Sequence, residues 1–391
     1  MTSCPGAVVA GASYRALGVV RSLGRRGVPV WVLQTDEHSV ARYSRFARGA
    51  ACWPRGRDPE RLGELLRIVE RNRLTGWALI ATDDEDAATI ARLHRALSEH
   101  LVLTVPPWDI LEAAYDKRVM HAVAARAEIA QPATLFPGSA EQLSRVERFP
   151  VVVKPAHKAV PNELTAAKCW RADDRVTLAA LYERACGLMD ARAVMVQELV
   201  AGDGQFSFAA LCRDGRVLAS LTARRTRQYP LDFGRASTFV ETIEDRTVAD
   251  DGRRLLVAMR LTGLVEIEFK RDPRTGANLL LDVNPRAWGW QSLGARAGVD
   301  FPYLLWLMAC ALPFDAADAR PGVGWMRMVF DVPAAATGLR TGQLTMRDYL
   351  RCFRRPLAHA ILAADDPVPG LLDTVLLGSI FESRVRRGHA G

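Results

Sequence analysis

The 391-residue chain reads as an α/β layer at its N-terminal end running into a larger α+β region. Two observations predict this. Residues 7–33 carry a strand, tight turn, helix, strand succession, the start of a doubly wound layer. Residues 205–284 instead carry two β-hairpin signals, Asp214-Gly215 and Asp272-Pro-Arg-Thr-Gly276, between runs of strand-forming residues.

The elements follow in order. Ala7–Ala10 is a short apolar run, Gly11–Ala16 a turn, and a helix continues to Arg26 before a second strand over Val28–Leu33. Leu62, Leu65, Leu66 and Val69 mark one helix face, and Trp77–Ala81 and Leu101–Val105 are buried strands. A helix from Trp108 to about Ala127 carries Asp116-Lys117, and Pro132 breaks the chain. Ser139-Ala-Glu-Gln142 resembles a capping box opening a short helix. Strands are expected at Val151–Lys154, Ala193–Val200, Gln205–Cys212, Val217–Arg224, Gly263–Arg271 and Asn278–Asn284. From Arg320 the pattern is mixed helix and loop. Its Leu371–Ile380 stretch, followed by Arg384, Arg386 and Arg387, reads as a helix packed on the body or as a membrane-surface or partner contact.

Composition bounds the function. With 49% hydrophobic and 25% charged residues, the chain can bury a core, which excludes global disorder. The longest apolar run, Phe301–Phe314, is too short to cross a bilayer and is interrupted by Pro302 and Pro313. The stretch MTSCPGAVVAG has no basic region followed by a long apolar run, so no secretory signal is expected. Seven cysteines without C-x-x-C spacing argue for reduced thiols and a cytoplasmic location. The net charge of +8 is dispersed, without the aromatic-interleaved basic stripe of a nucleic-acid binder. Lysine occurs only at positions 117, 154, 158, 168 and 270, leaving 47 of the 52 basic residues as arginine. Four of the five lysines fall between residues 117 and 168.

Four groups of residues could carry chemistry. Gly11-x-Ser13-x-x-Ala16 departs from a dinucleotide fingerprint at Ser13 and Ala16, with Asp36 only loosely at the ribose-binding spacing. Thr82-Asp-Asp-Glu-Asp86 reads equally as acids suiting a helix N-terminus or as Asp83 and Asp84 attracting an amine. The strongest is the second hairpin. Alternation puts Glu266, Glu268 and Lys270 on one face, and Asp282 and Asn284 share a face of the returning strand. A turn about Thr275 sets Glu268 opposite Asp282 and Glu266 opposite Asn284. Facing carboxylates repel unless a hard cation joins them, and oxygen ligands suit Mg²⁺ held with nucleotide phosphates. Fourth, Lys154 ends an apolar strand, where it snorkels or contacts a phosphate, and Lys117 sits beside Asp116.

Taken together, Asp116-Lys117, Val152-Val-Lys-Pro155, Val196-Gln-Glu-Leu-Val-x-Gly202, Glu268-Phe269 and Leu281-Asp-Val-Asn-Pro-Arg286 resemble the ATP-grasp superfamily. The resemblance is strongest to its carboxylate–amine ligase branch, near carbamoyl-phosphate synthetase and D-aspartate ligase, and spans Gly6 to Phe314. It implies an ATP-grasp fold behind a Rossmann-like N-terminal layer. The implied segments are residues 1–107 for that layer, 108–200 for the lid part, 201–319 for the catalytic part and 320–391 for an extension. The implied cofactors are ATP and Mg²⁺ (or Mn²⁺). Carried over, Lys117 and Lys154 contact phosphates, and Gln197, Glu198, Leu199 and Val200 form the hinge, where main-chain groups of Glu198 and Val200 read adenine. Gln205 stands near the place of a ribose-binding acid. Glu268, Asp282 and Asn284 hold metal, and Arg286 faces the reacting phosphoryl group. Arg224 and Arg227 join Arg286 as candidates for the carboxylate and transferred phosphate, since a guanidinium fork offers parallel hydrogen bonds.

The implied activity joins a small-molecule carboxylate to an amine, amino acids among them, through an acyl phosphate. Carboxylation, phosphoryl transfer and a silent ATP-binding scaffold stay open as alternatives, and a homodimer is compatible with these features. Two departures stand out. The loop after Lys154 lacks covering glycines, with His157 and Lys158 in their place, and Asp282 stands where glutamate is usual.

Overall fold

Ala7–Ala10 (β1) is a run of small apolar residues wholly shielded from solvent. Such a strand suits the middle of a parallel sheet covered on both faces. It pairs with Val30–Gln34 (β2) and, beyond Ala47–Cys52 (β3) on that side, with Ala78–Ala81 (β4) on the other; Val102–Leu103 (β5) completes the order β3-β2-β1-β4-β5. Strand β3 escapes the sequence pattern because its alanines, glycine and arginine are weak strand formers; its parallel pairing with β2 defines it. At Gly11 φ is +124°, and a Cβ there would lie 2.0 Å from Thr82 Oγ1, so the turn after β1 requires glycine. This computed structural model describes residues 5–11, 13–35, 39–157, 162–202, 204–229 and 236–373.

The helix expected from Trp108 to Ala127 is two helices, Trp108–Tyr115 and Lys117–Arg126. Asp116 breaks it with extended backbone and caps the second helix, its carboxylate accepting from the Arg118 N–H at 2.9 Å. Ser139 makes no side-chain cap bond, contrary to the capping-box expectation, and only a 3₁₀ helix over Ala140–Arg145 follows. A second sheet contains Thr134–Leu135 (β6), Val151–Pro155 (β7), Trp170–Ala172 (β8) and Val194–Glu198 (β9) in the antiparallel order β6-β9-β7-β8. The helix break aims the Lys117 amide at the Ala156 carbonyl, 2.8 Å away, which seats this helix start at the end of β7.

The third sheet is the largest. Gln205–Arg213 (β10), Arg216–Tyr229 (β11), Ala236–Ile243 (β12), Gly263–Arg271 (β13) and Asn278–Asn284 (β14) run β14-β13-β10-β11-β12, all antiparallel. Val265, Ile267 and Phe269 of β13 pack with Phe208 against Val248, Leu255, Leu256 and Met259 of helix Arg246–Met259. That apolar face puts Glu266 and Glu268 on the opposite face of the sheet.

Residues from Ala317 onward are built into this sheet. Ala317–Asp318 (β15) lies beside β11, while Gly324–Met326 (β16) pairs with β12 and Leu357–His359 (β17) with β16. The chain then returns to the first layer. The buried Arg21 donates to Asp366 Oδ2 at 2.9 Å and to the Ile361 and Asp366 carbonyls at 2.6 and 2.7 Å. Of the expected Leu371–Ile380 helix, residues 374 onward lie outside the described residues, as do Arg384, Arg386 and Arg387. No described helix is long and apolar enough to cross a membrane.

Candidate active site

A cleft of about 1420 Å³ lies between the sheet of β7 and β9 and the face of β10, β11, β13 and β14. It exceeds the roughly 300–1,000 Å³ of a single-ligand pocket, so it has room for a nucleotide and a second molecule. Lys117, Lys154, Lys168 and Lys270 all line it, which is every described lysine; Lys158 lies outside the described residues. Lys154 donates to Gln197 Oε1 at 2.7 Å, and Gln197 in turn donates to Thr134 Oγ1 at 2.9 Å. Burial, with the Lys117 charge added, lowers the Lys154 amine to about 7. Lys168 reaches the cleft from a left-handed backbone, φ +74°, that ends the short helix Glu163–Ala167.

The hairpin register is the one its alternation predicts: Glu266 pairs with Asn284 and Glu268 with Asp282, with a bulge just after Glu268. The facing carboxylates do not share a fate. Glu266 is buried away from the cleft and accepts from Trp290 Nε1 at 2.9 Å and Ser207 Oγ at 3.1 Å; burial and then the Glu268 charge raise its carboxyl to about 7. Glu268 and Asp282 line the cleft. Glu268 accepts from Gln205 Nε2 and Asn284 Nδ2, both at 3.0 Å; burial disfavours its charge, but Arg225 and Lys168 outweigh that and lower its pKa. Asp282 accepts from the Lys117 ammonium. Two carboxylates on adjacent strands, opening on a lysine-lined cavity, suit Mg²⁺ held jointly with phosphates. Asn284 stands behind them, its oxygen turned to Arg286 and its N–H₂ to Glu268; joining a cation as an oxygen donor requires a half-turn of its amide. Among the described residues no group of three His, Cys, Asp or Glu gathers as a metal cluster, so the set stays at two carboxylates and an amide.

The arginines separate. Arg286 is 7% exposed and lies outside the cleft lining, donating to Asp84 Oδ2 at 3.0 Å and Asn284 Oδ1 at 2.9 Å. It therefore ties the predicted metal set to the N-terminal layer. Arg224 points to the other face of β11, where Glu241 holds it. Arg227 reaches the cleft but is locked bidentately to Asp331 at 2.8 and 2.9 Å, over the Phe239 ring. Sequence reasoning missed two cleft arginines, Arg171 and Arg225; the Nε of Arg225 is buried without a hydrogen-bond partner among the described residues, and its Nη2 is 3.9 Å from Glu268. Bulges in β11 on both sides of Arg227 shift the alternation that would have placed it.

The remaining expectations are located as follows. Gln197, Glu198, Leu199, Val200 and Gln205 line the cleft, but the Glu198 N–H is spent on the Ala133 carbonyl at 2.8 Å and the Leu199 N–H on that of Pro150 at 3.0 Å. Gly11 and Ser13 do not line it; Ser13 caps its own helix, and Asp36 lies outside the described residues. Asp83 likewise caps a helix, accepting from the Asp86 N–H at 2.9 Å, so both acids of the amine reading have protein partners.

No sequence family and no curated protein matches the chain. Solved structures do. An L-amino acid ligase from Bacillus licheniformis superposes with a TM-score of 0.63 at 14% identity, over 79% of this chain and 75% of that one. Biotin carboxylase from Campylobacter jejuni, solved with a β,γ-ATP ligand, gives 0.63 and 14% over 81% and 74%. N5-carboxyaminoimidazole ribonucleotide synthetase from Thermotoga maritima gives 0.57 and 16% over 80% and 77%. With the parallel layer in front, the lysine-lined cleft between two antiparallel sheets and these neighbours, the chain has the ATP-grasp fold.

Proposed function

We propose that the protein is an ATP-dependent ligase that activates a carboxylate as an acyl phosphate and joins it to an amine, releasing ADP and phosphate. The observation that carries the reading is the opposed pair Glu268–Asp282 at the edge of a cleft holding four lysines and Arg225. A carboxylate is a poor electrophile. Its oxygen takes the γ-phosphoryl group as ADP leaves; the amine then attacks the acyl carbon, and phosphate departs with the bond's electron pair. Charge neutralisation and positioning dominate such chemistry.

In this reading the nucleotide base lies along Gln197–Val200. Val200 supplies the main-chain contact, because the Glu198 N–H already serves Ala133. Lys117 and Lys154 take the phosphates, Gln205 is near the ribose, and Glu268 and Asp282, with Asn284 turned, would hold Mg²⁺, which shields phosphate charge when bound. Arg225 binds the substrate carboxylate, and its unpaired Nε supports that role. Arg286 acts through Asn284 unless it leaves Asp84.

The test is ADP release across acid and amine pairs, with hydroxylamine present to trap the acyl phosphate as a hydroxamate. Hydroxamate formation dependent on ATP and an organic acid supports the ligase. ADP release that needs bicarbonate alone supports carboxylation, and tight ATP binding without turnover supports a scaffold.

A further inference from the structure

The chain beyond Arg320 lies outside the motifs of the fold, yet it forms part of the cleft. Ala334 and Gly338, one helical turn apart on helix Met328–Arg340, line it with Gln343 and Leu344 of the loop that follows. Two contacts fix this wall. The buried Arg227–Asp331 pair pins the helix to β11. The Leu344 N–H donates to the Gly338 carbonyl at 3.1 Å, and a Cβ at Gly338 would come within 3.2 Å of Leu344 Cβ. Glycine thus lets the loop fold back on the helix.

The chemistry here differs from that at the hairpin. On β11 the same cleft is lined by Thr226 and Gln228, and the charge of Arg227 is already matched by Asp331. Strands stand about 4.8 Å apart, so β11 lies roughly 10 Å from β13 across β10. Arg225 itself stands on β11 with its guanidinium reaching toward Glu268 of β13, so an acid whose carboxylate it holds can lay its body along β11 toward the extension.

We infer that the C-terminal extension is the specificity wall for the acid substrate. It selects a carboxylic acid of amino-acid to short-peptide size whose body is uncharged, with apolar atoms against Ala334, Gly338 and Leu344 and amide or hydroxyl groups met by Gln343. Bicarbonate has no body for such a wall to hold. The inference rests on the ligase reading and adds the acid's class to it.

The full chain is assayed for ATP-dependent hydroxamate formation with the protein amino acids, their N-acetyl derivatives, dipeptides and charged-body analogues, alongside ADP release with bicarbonate. The preferred acid is expected to have an uncharged body, meaning no charge beyond its carboxylate and, for an amino acid, its α-ammonium. Gln343→Ala and Leu344→Ala, both outside the phosphate and metal machinery, should raise its KM about tenfold, with the KM for ATP within twofold. Ala334→Leu should move preference toward smaller acids; should it fail to fold, the two loop variants carry the test. Unchanged acid KM in both loop variants, or a preferred acid with a charged body, overturns the wall while leaving the ligase intact. A wild-type chain that makes no hydroxamate, whether it releases ADP with bicarbonate or not at all, overturns the ligase reading and this inference with it.

Discussion

The two sides of the cleft hold their cations differently. On the nucleotide side, Lys154 and Lys117 rest on single oxygens of Gln197 and Asp282. On the extension side, Arg227 is gripped at two nitrogens by Asp331, with aromatic rings of Phe239 and Tyr349 near its guanidinium. An ammonium on a flexible stem is a point charge that changes partner at small geometric cost, whereas a planar fork in a matched site is a strut. A chain with 47 arginines and five lysines thus uses arginine for architecture and places each described lysine where an anion can reach it. The scarce residue type marks the site better than the abundant one.

The largest test of that contrast is Arg227→Met. It leaves Asp331 buried and unpaired, and unfolding free energy should fall by about 3–5 kcal/mol, read by urea denaturation. Arg227→Met with Asp331→Leu should recover most of the loss; a single variant with wild-type stability would show that Arg227 is no strut. Next, Glu268→Gln should lower turnover by about 10²–10³-fold with an unaltered circular dichroism melt. Unchanged turnover removes Glu268 from the metal role.

A smaller effect follows from Lys154. Folded, its amine titrates near 7; unfolded, near the ordinary 10.5. The unfolded chain therefore binds more protons between those values, and stability should rise with pH across that window as the cost of burying the charge is relieved. Phosphate favours the charged amine, so ATP affinity should fall as pH climbs above about 7, with proton uptake on binding. Calorimetry in buffers of different ionisation enthalpy reads that uptake, and Lys154→Met should abolish it. Smallest of all, Arg274→Ala breaks ion pairs with Glu198 and Asp272 that are exposed on the arginine side, and the urea midpoint should stay within error of wild type.

What the sequence disclosed was local. The pairing of Glu268 with Asp282 and of Glu266 with Asn284 follows from alternation, although on the turn side the ladder is shifted by one residue at the bulge after Glu268. The lysines stood out by rarity. Partners stayed hidden: Asp331 lies 104 residues from Arg227 and Asp84 lies 202 from Arg286, and no periodicity encodes such pairings. Arg225 was passed over for its neighbours because the bulges in β11 break period two where it mattered. Strand β12 and helix Arg246–Met259 also went unread; β12 is defined by its partners β11 and β16, and the helix by the apolar face it lays on β10 and β13.

Arg21 and Arg227 belong to different layers, yet each finds its counter-charge only beyond residue 330, at Asp366 and Asp331. Chains emerge N-terminus first. Until that last stretch has been made, both earlier layers carry a cation destined for burial with nothing to neutralise it, and β12 presents an unpaired edge to whatever is nearby. The finishing segment therefore acts as the clasp of the fold. A chain cut at Arg320 would be an unfinished protein, with its first and third layers left unlatched.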